Sequence, residues 1–317
     1  MKLVVQIPCL NEAKTLPLVL KSIPKRIQGV DSIEIVVIDD GCSDDTVAIA
    51  RSHGVKHFVR HPQKQGLARS FQDGLMKSLS LGADIIVNTD GDNQYPQKDI
   101  PKLIGPLLEH TADMVIADRQ IPKIAHFSPA KKRLQRLGTR VLNAAAGTDI
   151  PDAASGFRAY SREAALQLNT VTPFSYAMET LIQAGNKGLA ITSVRITVNP
   201  KTRESRLFKN SAEHVLKSGI AISRAFVMYR PYAVFLTIGL TLFIGGSVPF
   251  MRYLYFVYAD HSHGRGHLQS LIIGSVLLVA SFTSFTLGVV ADLIRINRVL
   301  LEDGLEQSKR QRLNIKD

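Results

Sequence analysis

The stretch 83–94, Ala83-Asp84-Ile85-Ile86-Val87-Asn88-Thr89-Asp90-Gly91-Asp92-Asn93-Gln94, is where the chain first declares a chemistry. Ile85, Ile86 and Val87 stand in a row, the pattern of a short strand buried on both faces. The apolar run stops at Asn88 and gives way to two carboxylates, Asp90 and Asp92, one glycine apart. Hard oxygen donors at the end of a buried strand suit a small divalent cation, Mg2+ or Mn2+, which is commonly held by one or two carboxylates plus substrate phosphates. Gly91 would let the backbone turn tightly enough for both side chains to face one point. Asp-Gly is also a common turn dipeptide, so an ordinary polar turn fits the same residues. The surrounding chain has to choose.

On either side, apolar runs alternate with helical patterns. Strands are expected at Lys2–Cys9, Ile33–Asp40, Val55–Arg60, Ala83–Asn88, Ala112–Arg119 and Ile191–Val198. Helices are expected from about Ala13 to Ile23, up to about His53 with Ser43 or Asp44 as cap, and over Gly66–Leu81, Asp99–Glu109, Arg162–Leu168 and Tyr176–Ala184. Such alternation implies right-handed crossovers and a mostly parallel, doubly wound α/β sheet. Ligands of such sheets sit outside the carboxyl ends of the strands. Pro8–Glu12, Asp39–Asp44, Asp90–Gln94 and Asp118-Arg119 all fall at those ends. No G-x-G-x-x-G follows the first strand and no G-x-x-x-x-G-K-[S/T] loop occurs, so a redox Rossmann domain and a P-loop NTPase both lose support. The acidic edge suits a nucleotide whose ribose and base meet carboxylates while a metal holds the diphosphate.

The 317 residues carry a formal net charge of +12, with a pI of about 9.7, and 45% are hydrophobic. A basic balance of this size fits nucleic acid, an anionic membrane surface or phosphate-bearing substrates. Without zinc-finger spacing or a basic run interleaved with aromatics, nucleic acid ranks last and is not expected as a partner. Cys9 and Cys42 are too few for a disulfide framework and lack metal spacing, so both are read as reduced thiols of a cytosolic domain. The apolar run after Met1-Lys2 is too short for a signal peptide. There is no internal repeat or low-complexity segment.

Four motifs occur in order: Pro8-Cys9-Leu10-Asn11-Glu12, Asp39-Asp40-Gly41-Cys42-Ser43-Asp44-Asp45-Thr46, Asp90-Gly91-Asp92-Asn93-Gln94 and Ser155-Gly156-Phe157-Arg158. Together they resemble the signatures of family-2 glycosyltransferases with the GT-A fold. The likeness is to the dolichyl-phosphate mannose synthase branch and its bacterial polyprenyl-phosphate relatives, and it spans roughly residues 3–207. The resemblance implies a metal on Asp90, Asp92 and Gln94. It implies a nucleotide-sugar pocket lined by Pro8, Asn11, Glu12, Asp39, Asp40 and Asp90, with Arg203 and Arg206 of an R-x-S-K/R element closing over the diphosphate. Cys42 departs from the serine common in relatives but leaves the acidic residues in place.

Arg133, Arg136 and Arg140 recur at i, i+3 and i+7 and would share one helical face beside an apolar stripe of Leu134, Leu137 and Val141. A solvated basic face is the plain alternative. Guanidinium groups also bind phosphate in fixed bidentate geometry, and the resemblance favours a cradle for an acceptor phosphate made by Arg119, Arg133 and Arg136, in that order. Glu179 is nearest to the base acid of relatives that glycosylate hydroxyls, but Thr180 stands where those carry a second acid. A helical Glu is more often a structural partner of an Arg. A phosphate acceptor needs no base, because its second pKa lies near ~6.

Tyr232–Met251 and Leu268–Ala291 run about 20 and about 24 residues without a strong break in apolarity, each long enough at ~1.5 Å per residue to cross a ~30 Å hydrocarbon core. Gly245, Gly246 and Pro249 would disturb a soluble helix more than a membrane one. Lys201, Arg203, Arg206, Lys209, Lys217, Arg224 and Arg230 precede the first span; Arg295, Arg298, Lys309, Arg310, Arg312 and Lys316 follow the second. The loop between holds only Arg252 and Arg265. That bias places the catalytic domain and both termini in the cytoplasm, at the plasma membrane if the source is bacterial. Residues 210–229 would form an amphipathic interfacial helix. The loop His261–His267 could bind a metal but reads more plainly as a flexible loop with scattered histidines. The charged tail Glu302–Asp317 is expected to be mobile.

The expected organisation is a GT-A domain (1–207), an interfacial helix (208–230), a transmembrane hairpin (231–292) and a charged cytoplasmic tail (293–317). The expected activity is metal-dependent, inverting transfer of a hexose-type sugar from a UDP- or GDP-linked donor to undecaprenyl or dolichyl phosphate. Self-association stays open. Rivals are transfer to a hydroxyl of a lipid-linked or envelope saccharide, a processive synthase (disfavoured by the lack of any tryptophan), a nucleotidyltransferase and a non-catalytic membrane scaffold.

Overall fold

A computed structural model describes residues 1–123, 129–170, 176–200, 227–228, 230–258 and 268–314. Arg203, Arg206, nearly all of the expected interfacial helix and the histidine loop lie outside the described residues. The chain divides into two compact units, Met1–Ala225 with Glu302–Asp317, and Phe226–Leu301.

The first unit is built on seven strands: β1 (Lys2–Cys9), β2 (Ser32–Asp39), β3 (His57–Arg60), β4 (Ile85–Asn88), β5 (Met114–Asp118), β6 (Arg158–Ser161) and β7 (Ile191–Arg195). They form one sheet in the order β3-β2-β1-β4-β6-β5-β7. β1 pairs parallel with both β2 and β4, β2 with β3, and β5 with β7. From Leu3 to Cys9 every residue of β1 is buried, which explains why its sequence is apolar on both faces. Helices α1 (Leu16–Ser22), α2 (Thr46–Ser52), α3 (Leu67–Ser80), α4 (Ile100–Leu108), α5 (Pro129–Ala146), α6 (Arg162–Gln167) and α7 (Tyr176–Asn186) connect the strands. Val19, Leu103, Ile104 and Leu107 close the core against Leu3, Val5, Ile7 and Val87.

β6 was not expected. It runs antiparallel between β4 and β5, with Asn88 opposite Arg158. Its reversed direction matters for the site. The residues before its first position, Ser155-Gly156-Phe157, arrive at the same sheet edge as the carboxyl ends of the parallel strands.

The second unit is a helical hairpin of α8 (Pro231–Tyr258) and the first part of α9 (Leu268–Arg312), both long and apolar enough to cross a membrane. Small residues bring the backbones close: a Cβ on Gly246 would stand 3.1 Å from Gly274 O, and one on Gly274 3.0 Å from Gly246 O. Ser281 Oγ donates to Gly239 O at 2.8 Å and Ser284 Oγ to Phe235 O at 2.9 Å. Thr237, Thr241 and Thr283 donate to the carbonyl four residues back, so their hydroxyls are satisfied within the helix.

The expected mobile tail is corrected. α9 continues to Arg312, and its final turns belong to the first unit, where Glu302 and Lys309 are buried. Lys309 Nζ donates to Leu166 O at 3.0 Å and Leu168 O at 2.7 Å, the free carbonyls at the end of α6. Lys187 pairs with Asp303 and Glu306, and Arg310 with Glu163 and Glu306. Charge complementarity across α6 and α7 is what orders a segment that composition alone marks as disordered.

Candidate active site

Two turns at the ends of β1 and β2 interlock. Asn11, in the left-handed region at φ 57, accepts the Ser43 N–H on its Oδ1 at 2.8 Å. The Glu12 N–H donates to Thr46 Oγ1 at 2.9 Å, and Thr15 Oγ1 donates to Glu12 Oε2 at 2.8 Å. Asp44 accepts from Thr46 and from the Ala13 N–H at 3.1 Å; burial alone would raise its pKa, but these bonds hold it below the usual carboxylate range. The N-cap of α2 is Asp45, whose side chain makes no capping bond, which corrects the cap expected at Ser43 or Asp44; Asp44 accepts the Thr46 N–H at 3.1 Å from one position further out.

Asp39 is buried, with Oδ1 accepting the Cys42 N–H at 2.8 Å and Oδ2 3.3 Å from Arg60 Nε. Asp40 is also buried, but its oxygens are taken by the N–H groups of Gln65 and Gly66 at 2.7 and 3.0 Å and by His61 at 2.9 Å. It therefore organises a loop. Pro8 is buried within β1. Burial first, then neighbouring charge, keeps Cys9 a protonated thiol, and Cys42 is pushed up to about 11, so neither is set up as a nucleophile.

The acidic turn stands on a buried polar chain. Gln6 Nε2 donates to Asn88 Oδ1 at 2.9 Å, and Asn88 Nδ2 donates to Gly156 O and to the Tyr176 hydroxyl, each at 2.9 Å. The Tyr95 hydroxyl accepts the Gly156 N–H at 2.9 Å. Phe71 stacks on Tyr176 with centroids 4.3 Å apart, and Phe157 on Tyr95 at 5.3 Å. Burial raises the pKa of both tyrosines, and the Asp90 charge adds to it. Both hydroxyls stay neutral and hold the Ser155–Arg158 loop beside Asp90.

Gly91 serves closeness of approach. A Cβ there would meet Cys9 Sγ at 3.1 Å and Glu12 Cγ at 3.2 Å, so the acidic turn lies directly against the end of β1. The left-handed residue of the turn is Asn93, at φ 61, which corrects the turning role expected of Gly91. Asp92 accepts the Gln94 N–H at 3.0 Å and Gln94 Nε2 at 2.8 Å, which leaves the Gln94 amide oxygen as the atom a cation could take. Among the described residues no three His, Cys, Asp or Glu side chains converge. Two half-buried carboxylates and an amide oxygen still fit Mg2+ or Mn2+, because such ions complete their shell with water and substrate phosphate.

Arg119 approaches from β5. Its Nε and Nη2 grip Asp152 at 2.6 and 2.9 Å. Burial would lower its pKa, but the carboxylates of Asp152 and Asp90 outweigh that and hold the guanidinium charged. Arg136 on α5 lines a cleft of about 460 Å³ together with Asp118, Gln120, Ile121, Pro122, Pro151 and Arg195. Arg133 is exposed on the same helix and is absent from that lining. Arg158 is wholly buried and donates to Ser155 O, Ala153 O, Ala177 O and Thr180 Oγ1, which fixes the loop from beneath. Glu179 is 3% exposed within α7.

Sequence reasoning missed Asn88, Tyr95, Asp152 and Tyr176. A polar residue closing an apolar strand was the available signal for Asn88, and adjacence to Gln94 for Tyr95. Asp152 and Tyr176 are brought in by tertiary pairing, which no local pattern marks.

The profile of glycosyl transferase family 2 matches residues 4–168. The chain is 28% identical over 211 residues to a UDP-N-acetylglucosamine–dolichyl-phosphate N-acetylglucosaminyltransferase of Methanococcus voltae, covering 60% of this chain and 82% of that protein. It is 25% identical over 218 residues to an undecaprenyl-phosphate mannosyltransferase of Micrococcus luteus, covering 65% and 88%. A dolichyl-phosphate hexose transferase of Haloferax volcanii is 30% identical over 203 residues, covering 62% and 82%. In fold, the chain resembles glucosyl-3-phosphoglycerate synthase from Mycobacterium tuberculosis, solved with Mn2+, UDP and glucosyl-3-phosphoglycerate, at a TM-score of 0.55 and 24% identity over 71% of this chain and 78% of that one. The same synthase with Mg2+ and UDP gives a TM-score of 0.51, with 23% identity over 70% and 79%. The fold is GT-A.

Proposed function

The chain belongs to glycosyl transferase family 2, and from that premise we propose that it is a membrane-anchored, metal-dependent enzyme. It moves a hexose-type sugar from a UDP- or GDP-linked donor to a polyprenyl phosphate, with inversion, at the cytoplasmic leaflet. One observation carries this most: a charged arginine, Arg119, is locked beside the acidic Asp90–Asp92 turn at the sheet edge. An acidic turn suits a donor diphosphate through a cation, and a fixed guanidinium next to it suits an anionic acceptor. The names of the relatives acting on dolichyl and undecaprenyl phosphates support the same acceptor class, and two membrane-length helices in the same chain support a lipid one.

In this proposal Asn11, Glu12 and Asp39 border the nucleoside and Pro8 shapes the floor beneath it, with Arg203 and Arg206 closing over the diphosphate. Asp90, Asp92 and Gln94 hold Mg2+ or Mn2+, which when bound offsets charge developing on the leaving diphosphate. Asp152 occupies one side of the Arg119 fork, so its remaining Nη1 is the atom directed to acceptor phosphate. Arg136 and Arg133 extend that positive field along α5. The acceptor oxygen is already ionised near neutral pH, so positioning and electrostatics, without a general base, supply the rate. The buried Glu179 is consistent with that economy.

The test offers purified full-length protein a panel of nucleotide sugars with polyprenyl phosphate and Mn2+ or Mg2+. A chloroform-extractable glycolipid is the expected product. Transfer only to a hydroxyl acceptor, with the phosphate lipid inert, would overturn the proposal.

A further inference from the structure

The loop after β3 turns back onto the end of β2. The His61 N–H donates to Asp39 O at 2.9 Å, and the N–H groups of Gln65 and Gly66 donate to the two oxygens of Asp40. Gly41, at φ +77, admits this fold-back: a Cβ there would stand 2.7 Å from Lys64 N and 2.8 Å from Gln63 C. The backbone of residues 63–64 thus rests on the turn that carries Asp39 and Cys42.

The His61 ring lies between two carboxylates. Nδ1 is 2.9 Å from Asp40 Oδ1 and Nε2 is 3.1 Å from Asp73 Oδ2, with the side chain 9% exposed. Each ring nitrogen thus has a carboxylate oxygen within hydrogen-bond reach, one from the loop side and one from α3. Asp73, on α3, is held in turn by Arg69 Nε at 2.7 Å, while Arg60 faces Asp39 on the other side. One imidazole therefore ties the loop, through Asp40, to the rigid helix behind it.

We propose that His61 is a positioning residue of the donor pocket: by bridging Asp40 and Asp73 it holds residues 61–66 as a fixed wall beside Asp39. This rests on the donor-site proposal above. A wall already ordered before binding spares the nucleotide the entropy loss of ordering it, so its effect falls on donor affinity. It also assigns Asp40 to the loop and leaves Asp39 as the carboxylate for the nucleoside.

Full-length protein carrying His61→Gln or Asp73→Asn tests this by donor kinetics and by amide hydrogen exchange over residues 61–66. Asp73 borders no proposed substrate group, so a kinetic effect of Asp73→Asn reports positioning. Loss of one hydrogen bond to a buried carboxylate predicts a donor KM raised about tenfold, with kcat at saturating donor within about twofold of wild type. Loop exchange should quicken in both variants, whose thermal melts confirm that they fold. Unchanged donor KM, or unchanged loop exchange, overturns the proposal. If the wild-type protein uses no nucleotide sugar, the donor-site proposal fails on its own, and the exchange comparison alone decides whether His61 clamps the loop.

Discussion

Gly156 has no room for a side chain. A Cβ there would stand 2.6 Å from the Tyr176 hydroxyl and 3.6 Å from Asp90 Oδ2. Gly156→Ala should displace the loop from Tyr95 and Tyr176 and lower transfer about a hundredfold, the cost of a misplacement of about 1 Å at a reacting centre, while the melting temperature falls by only a few degrees. Steady-state rates beside a thermal melt check it, and unchanged transfer would mean that the loop is not part of the site. Asp92 makes a sharper case. It is half-buried on a turn, so Asp92→Ala should change stability by about 1 kcal/mol or less yet abolish transfer with the protein still folded. Activity surviving at ordinary metal levels contradicts the metal assignment. At this scale the residue types were legible and their tasks only partly so. Asp90 and Asp92 announced themselves by chemistry, but Asn93 turns the chain where Gly91 was expected to, and Asp40 faces a loop. Those outcomes depend on what packs against each residue, which spacing does not encode.

The strands and helices follow apolar periodicity closely, and the exceptions have physical reasons. β6 has four residues, Arg-Ala-Tyr-Ser, and begins with an arginine that is wholly buried. Polar composition hid it, since Arg158 is tolerated there only because four hydrogen bonds to carbonyl and hydroxyl oxygens replace water. The end of α9 was misjudged for the converse reason: its charges are paired with α6 and α7. Burial pulls the pKa of Lys309 from 10.5 down to about 8, with Glu306 opposing and Lys187 assisting. Between those values the unfolded chain binds more protons than the folded one, so stability rises with pH there. Burying the charged amine is unfavourable below about pH 8, and that penalty is relieved on going up toward 10.5. Lys309→Met should lack this slope. Denaturant melts of both proteins from pH 7 to 10 check it; identical pH dependence would mean that the tail does not dock through Lys309.

For the whole molecule, the catalytic fold, its family and the two membrane-length helices were all readable from order and composition. Ordered motifs located the sheet edge, and length with apolarity located the hairpin. The basic excess of +12 finds a use on this view, in guanidinium groups for phosphates and in flanks for an anionic surface. What the chain does with both halves together is the central claim: the sugar ends on a lipid phosphate. The linkage of the product tests that most directly. Purified glycolipid from a defined nucleotide sugar and polyprenyl phosphate would be examined by phosphorus and proton NMR. The account predicts one phosphodiester joining the prenyl chain to the anomeric carbon, with the donor's anomeric configuration inverted. A free phosphate monoester with the sugar on a hydroxyl, or a retained configuration, would contradict it.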